Sequence, residues 1–167
     1  MSDEFQEILL YLDTEDTALQ GLTKRIIALC TSTNETEEAI IELIQKTDDY
    51  GNDVRTCENV PFCNLLISFA YWHWGDQTSA SKYADEADTQ FNRCGNQWNR
   101  ALTIWGKAVV YRDSFIEQAI TEYKSAHKLF SAIANNANFK GFHDRYNFSK
   151  KISAQINEKS KNWKSAQ

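Results

Sequence analysis

Apolar positions along the chain recur every three to four residues, the spacing that lines one face of an α-helix. In "TALQGLTKRIIALC" they fall at Leu19, Leu22, Ile26, Ile27 and Leu29, and in "NETEEAIIELIQK" at Ala39, Ile40, Leu43 and Ile44. Acids gather near the start of the second stretch, where the helix dipole favours them, and Asn34 with Glu37 has the spacing of a capping box. Pro61 suits the first turn of a helix running to about Trp74, because the amide hydrogen it lacks would have no partner there. Gly75 can end that helix in the left-handed conformation, and Asp76 can cap the next one, over about 77–93. A second pair is predicted over about 97–112 and 115–134, with Ser114 and Glu117 as the capping box at its turn. A last helix, over about 142–163, would carry Phe148, Ile152, Ile156 and Trp163 along one side. The segment "DDYGNDVRTCENV" lacks the period and predicts a long loop. Nothing in the pattern asks for a strand, so the expectation is an all-α domain of about seven helices.

The two helix pairs repeat each other. Ala80, Tyr83, Ala84, Ala87 and Phe91 lie about 39 residues before Ala119, Glu122, Tyr123, Ala126 and Phe130, and Tyr71 precedes Tyr111 by 40. A hairpin recurring at such a period buries its apolar face by stacking on a neighbour. Residues 62–131 resemble the tetratricopeptide repeat (TPR) family, in which small and large residues alternate so that two antiparallel helices approach closely. The family's packing positions fall on Asn64, Ile67-Ser68, Tyr71, Ala80, Ala84, Ala87 and Asn92, and in the second unit on Tyr111, Ala119, Tyr123 and Ala126. The family's Trp, Phe and Pro are missing, Ser68 stands for Gly, and the longer period implies longer helices. The resemblance implies a short TPR-like stack within one domain, 1–167. It would comprise N-terminal helices in 1–50, two hairpin repeats in 61–134 and a basic capping helix in 139–167.

Composition narrows the class without naming a reaction. The chain is 42% apolar and 13% aromatic over 167 residues, enough to bury a core of its own. Proline occurs once and glycine six times, too little punctuation for a many-stranded β fold. No apolar run is long enough to span a membrane, and the acidic start lacks the basic region of a signal peptide, so a cytoplasmic location is the expectation. The net charge of −5 is uneven: residues 1–90 hold 18 acids and 5 bases, while residues 139–167 hold 2 and 7. That polarity could orient a partner or support head-to-tail self-association. Cys30, Cys57, Cys63 and Cys94 form no CxxC pair and read as reduced thiols. A scattered zinc set of Cys57, Cys63, His73 and Cys94 lacks the tight spacing of structural sites. No metal and no cofactor is expected.

No nucleophile elbow, phosphate-binding loop, dinucleotide fingerprint or HExxH appears, so the chain is not expected to be an enzyme. The TPR resemblance implies instead that the first helix of each pair lines a groove for a partner protein. Residues there beyond the packing pattern are Leu65, Phe69, Trp72 and His73 in one unit, then about Ile104, Trp105 and Arg112 in the next. Aromatic anchors beside an arginine suit a binding hot spot, although any of these tryptophans could simply fill the core. The alternative is a nucleic-acid surface at the C-terminal end, where Lys140, Arg145, Tyr146, Lys150 and Lys151 interleave cations with aromatic residues. A capping helix with a basic outer face would have the same composition.

Overall fold

The computed structural model describes residues 3–32, 34–137, 147, 149–152, 154–158 and 161. Seven helices follow one another: α1 (Asp3–Tyr11), α2 (Thr17–Thr31), α3 (Glu37–Asp53), α4 (Asn59–Trp74), α5 (Gln77–Cys94), α6 (Gln97–Tyr111) and α7 (Ile116–Ala137). Residues 149–152 and 154–158 are helical as well, and no strand occurs among the described residues. The protein is therefore an all-α bundle. From α2 to α7 each helix packs against the next, α2 also packs on α4, and α1 lies against α6 and α2.

Local chemistry sets the turns. Gly75 takes φ 95°, and the amide of Asp76 reaches back to the Tyr71 carbonyl at 2.9 Å, closing α4. The Asp76 carboxylate then accepts the Ser79 amide at 3.0 Å and opens α5. Twenty residues on, the same device recurs. Gly95 takes φ 75°, the Asn96 amide reaches the Phe91 carbonyl at 3.2 Å, and the Asn96 side chain accepts the Asn99 amide at 3.0 Å. Asp16 caps α2 by accepting the amides of Ala18 and Leu19, and its other oxygen accepts the Tyr50 hydroxyl and the Asn59 amide. One carboxylate thus joins α2 to the end of α3 and the start of α4. The Tyr50 hydrogen bond, foremost among these contacts, holds Asp16 below its ordinary pKa.

Three local expectations differ from what is found. Thr36, not Asn34, caps α3, accepting the Ala39 amide at 3.2 Å. Ser114 caps nothing: α7 starts at Ile116, the Phe115 carbonyl accepts its first bond, and the Ser114 hydroxyl is held by Gln77 at 2.5 Å. The expected long loop shrinks to residues 54–58, because α3 continues through Gly51 to Asp53. A Cβ at Gly51 would stand 3.2 Å from Cys63 Cβ, so this helical glycine serves the close approach of α3 and α4.

The repeat positions form the seams between helices. Ala80, Ala84, Ala87, Ala119 and Ala126 are all fully buried, as are Phe91 and Phe130. Small residues let the helix backbones approach, and the Ser68 hydroxyl donates to the Ala80 carbonyl at 2.6 Å across the α4–α5 seam. Each buried phenylalanine contributes about 1.5–3 kcal/mol over leaving it exposed. Tyr71 stacks on Tyr83 with ring centroids 5.7 Å apart, tightening the same hairpin.

Candidate functional site

Four of the residues expected to line a partner-binding groove, Phe69, Trp72, Trp105 and Arg112, contact the protein's own first helix. In α1, Phe5, Ile8 and Leu9 follow one another at helical spacing and are essentially inaccessible, while Leu10 and Tyr11 face outward. The Phe5 ring lies 4.2 Å from that of Phe69 and meets Trp72 edge-on at 4.5 Å. The edge-on pair with Trp72 suits favourable aromatic pairing, and the Phe69 ring is in close contact.

The neighbouring side chain supplies the polarity. Glu4 is buried, and its Oε2 accepts the Trp105 indole N–H at 3.1 Å and the Tyr123 hydroxyl at 2.7 Å. Arg112 approaches Glu4 Oε1 at 3.8 Å. An indole, a phenol and a guanidinium thus converge on one carboxylate, contributed by α6, α7 and the residue that follows α6. Burial pushes the Tyr123 phenol up to about 12, which keeps it a donor at any ordinary pH.

At the other end of α1 the contacts are with backbone. The Trp98 indole donates to the Tyr11 carbonyl at 2.8 Å. The Asn99 side chain exchanges two bonds with the Asp13 main chain, donating to its carbonyl and accepting its amide, each at 2.9 Å. Because Glu4 meets Trp105 and Tyr11 meets Trp98, α1 runs antiparallel to α6.

Of the residues expected to bind a partner, Phe69 and Trp72 meet Phe5, and Trp105 and Arg112 meet Glu4, so α1 already takes up their contacts. Leu65, Phe69 and Trp105 are buried in the core. A Cβ at Gly106 would stand 2.9 Å from the Phe69 ring and 3.8 Å from Leu65, so α4 and α6 meet at this glycine. Trp72 is half-buried against Phe5. His73 is half-buried too, and burial holds its pKa below the ordinary histidine value. Of the residues proposed for nucleic acid, Lys150 and Lys151 are exposed, and Lys151 approaches Glu7 of α1 at 3.6 Å. Lys140, Arg145 and Tyr146 lie outside the described residues. Ile152 and Ile156, expected on the apolar side of the last helix, are buried in the core; Phe148 and Trp163 lie outside the described side chains.

A second polar cluster went unnoticed in the sequence. The Lys107 ammonium on α6 sits 3.0 Å from Asp88 and 3.3 Å from Asp85 of α5, and 3.2 Å from Glu122 of α7. Arg100 joins Asp88 at 3.0 Å, and the Tyr111 hydroxyl donates to Asp85. Lys107 is only 8% exposed; although desolvation opposes its charge, the surrounding carboxylates prevail and raise its pKa above the ordinary lysine value. The available signal was a lone cation inside the apolar run "ALTIWGKAVVY".

Among the described residues, no group of three or more His, Cys, Asp or Glu side chains is placed to hold a metal ion. No helix among them is long and apolar enough to cross a membrane. No family model, curated protein or solved structure matches this chain.

Proposed function

We propose that this protein is a non-catalytic interaction module of TPR-like build, acting in the cytoplasm as an adaptor or regulator, and that its aromatic groove binds an amphipathic helix carrying a carboxylate. The observation that carries this reading is the seating of α1: Phe5 between Phe69 and Trp72, with Glu4 among Trp105, Tyr123 and Arg112. A groove that accepts its own helix by an aromatic anchor and a carboxylate has the chemistry to accept another with the same two features. The buried alanines at the repeat positions support the TPR-like stack, because that family packs its hairpins through small residues at those places.

In this reading α1 and a partner helix compete. Affinity capture from a native lysate, followed by mass spectrometry, tests it with two variants. Glu4→Ala weakens the seat of α1 and is expected to increase the yield of a specific partner. Trp72→Ala removes the one partly exposed ring among Phe69, Trp72 and Trp105, and is expected to decrease it while helical circular dichroism is retained. Yields that are equal for the wild type and both variants would reject the groove as the binding site.

A further inference from the structure

A surface cleft of about 290 Å³ lies where the α3–α4 connection meets the end of α5. Arg55 and Thr56 reach it from the connection, Gln90 and Arg93 from α5, and Val60 and Pro61 from the first turn of α4. No acidic side chain among the described residues lines it, although residues 1–90 hold 18 acids and only 5 bases. The polar groups around it are set to donate. Neither guanidinium has an ion pair or hydrogen bond among the described residues. The Gln90 carbonyl oxygen already accepts the Asn64 amide at 2.8 Å, which leaves the Nε2 hydrogens of Gln90 uncommitted. Thr56 Oγ1 accepts the Asn59 backbone amide at 3.0 Å and keeps its own hydrogen to give. Glu58, two residues beyond Thr56, is met instead by the Asn96 side-chain amide at 3.4 Å.

We infer that the cleft of Arg55, Thr56, Gln90 and Arg93 binds one phosphate monoester dianion, carried by a small molecule or by a phosphorylated side chain of another protein. A set of donors with two positive charges calls for a ligand that only accepts and carries a charge of about −2. A phosphate monoester brings three such oxygens at that charge, whereas a carboxylate brings two and a single charge. Guanidinium groups also engage phosphate oxygens in pairs, through the planar fork that an ammonium lacks. The surroundings limit the ligand to one phosphate. Beyond Gln90 and Arg93 the surface of α5 continues into a second cleft lined by Asp85 and Glu86, which repel a further phosphate. No aromatic side chain among the described residues lines either cleft, so a nucleic-acid strand finds neither its next phosphate site nor a stacking platform. Because the two arginines come from different elements, the bound anion would tie the 54–58 connection to the last turn of α5. The site involves neither α1 nor the aromatic residues it covers.

Titration of the full chain with N-acetyl-phosphoserine amide, followed by calorimetry and amide NMR, tests the site. Saturable binding is expected, with the shifted amides at 54–60 and 89–94 and affinity falling as salt is added. Arg55→Gln and Arg93→Gln are each expected to lower affinity about tenfold, the loss of a charge-assisted hydrogen bond. Arg25→Gln, an exposed arginine on α2 that does not line the cleft, is expected to change nothing. N-acetyl-serine amide and acetate are expected not to bind. A phosphoserine peptide with neutral flanks separates the two sources: tighter binding than the blocked residue assigns a partner protein, and equal binding assigns a small phosphate ester. No binding by either phosphorylated probe, equal binding of N-acetyl-serine amide or acetate, or wild-type affinity in both cleft variants would each overturn the inference.

Discussion

Among the described residues two charged side chains, Lys107 and Glu4, are buried, and they are held differently. Lys107 stands among three carboxylates from the helices on either side of it, with Arg100 and Tyr111 completing the set. Glu4 accepts from two neutral donors, Trp105 and Tyr123, with the Arg112 guanidinium further off at 3.8 Å. The first cluster joins α5, α6 and α7, which adjoin in sequence and already share a long apolar seam. The second fastens a nine-residue helix to elements about 100 positions away. A charge compensated by opposite charges depends on all of them, so its loss disrupts the whole neighbourhood. A charge compensated by dipoles can be removed at the cost of its own hydrogen bonds. The comparison therefore predicts a global rivet at Lys107 and a local latch at Glu4.

The largest effect is expected from Lys107→Met, which strands Asp85, Asp88 and Glu122 around an uncharged side chain. Removing one partner of a buried ionic set costs about 3–5 kcal/mol, so a urea titration should show a large drop in midpoint with a single transition. A loss below 1 kcal/mol would place the three carboxylates in effective contact with water and undo the contrast.

Glu4→Ala comes next. It removes the acceptor of two hydrogen bonds and should cost about 1–3 kcal/mol, read in hydrogen exchange as faster opening of α1 with α5–α7 protection unchanged. Equal acceleration across α5–α7 would make Glu4 a rivet as well. Tyr123→Phe sharpens the point further, since it deletes the 2.7 Å bond to Glu4 and keeps the ring. Roughly 1 kcal/mol is expected, and in a double-mutant cycle with Glu4→Ala the two losses should not add.

The smallest effect belongs to Glu122. Burial, opposed by Lys107, holds its carboxyl above the ordinary value of 4.5. The folded state therefore binds this proton more tightly than the unfolded chain does. That increment of stability is complete below 4.5 and fades as pH rises through the folded-state value. Glu122→Gln should remove the increment's pH dependence, so the difference in stability between variant and wild type should change across that window and level off at neutral pH. A difference that is flat across the acid range would show that Lys107 fully offsets the burial of Glu122.

Local chemistry was the legible part of this sequence. Gly75-Asp76 could be placed because a left-handed residue followed by a capping carboxylate leaves few alternatives. Caps crowded together were less decisive: Asn34 and Thr36 both can accept an amide, and the start of the α3 apolar stripe favours Thr36. Ser114 had the right spacing to cap α7, but Gln77, 37 residues away in the chain, held its hydroxyl instead. Gly51 fell in the expected loop because "DDYGNDVRTCENV" lacks the helical period, whereas its close approach to Cys63 suits a glycine within a helix. Phe69, Trp72, Trp105 and Arg112 stood out in the sequence, but the packing of α1 against them did not. The i, i+3, i+4 spacing of Phe5, Ile8 and Leu9 was present, but it is short and embedded in acids. Nothing local indicates that Glu4 meets donors 101 and 119 positions along.

The double bond between Asn99 and the Asp13 main chain has a mechanical consequence. It grips the connection just after α1 by two parallel contacts, which resist twisting as well as pulling. Asn99 thereby sets a pivot, and Glu4 sits at the far tip of the lever, roughly 10–14 Å away at the rise of an α-helix. Any excursion of α1 begins at its tip and swings about a fixed axle, so the helix vacates its berth without losing its way back.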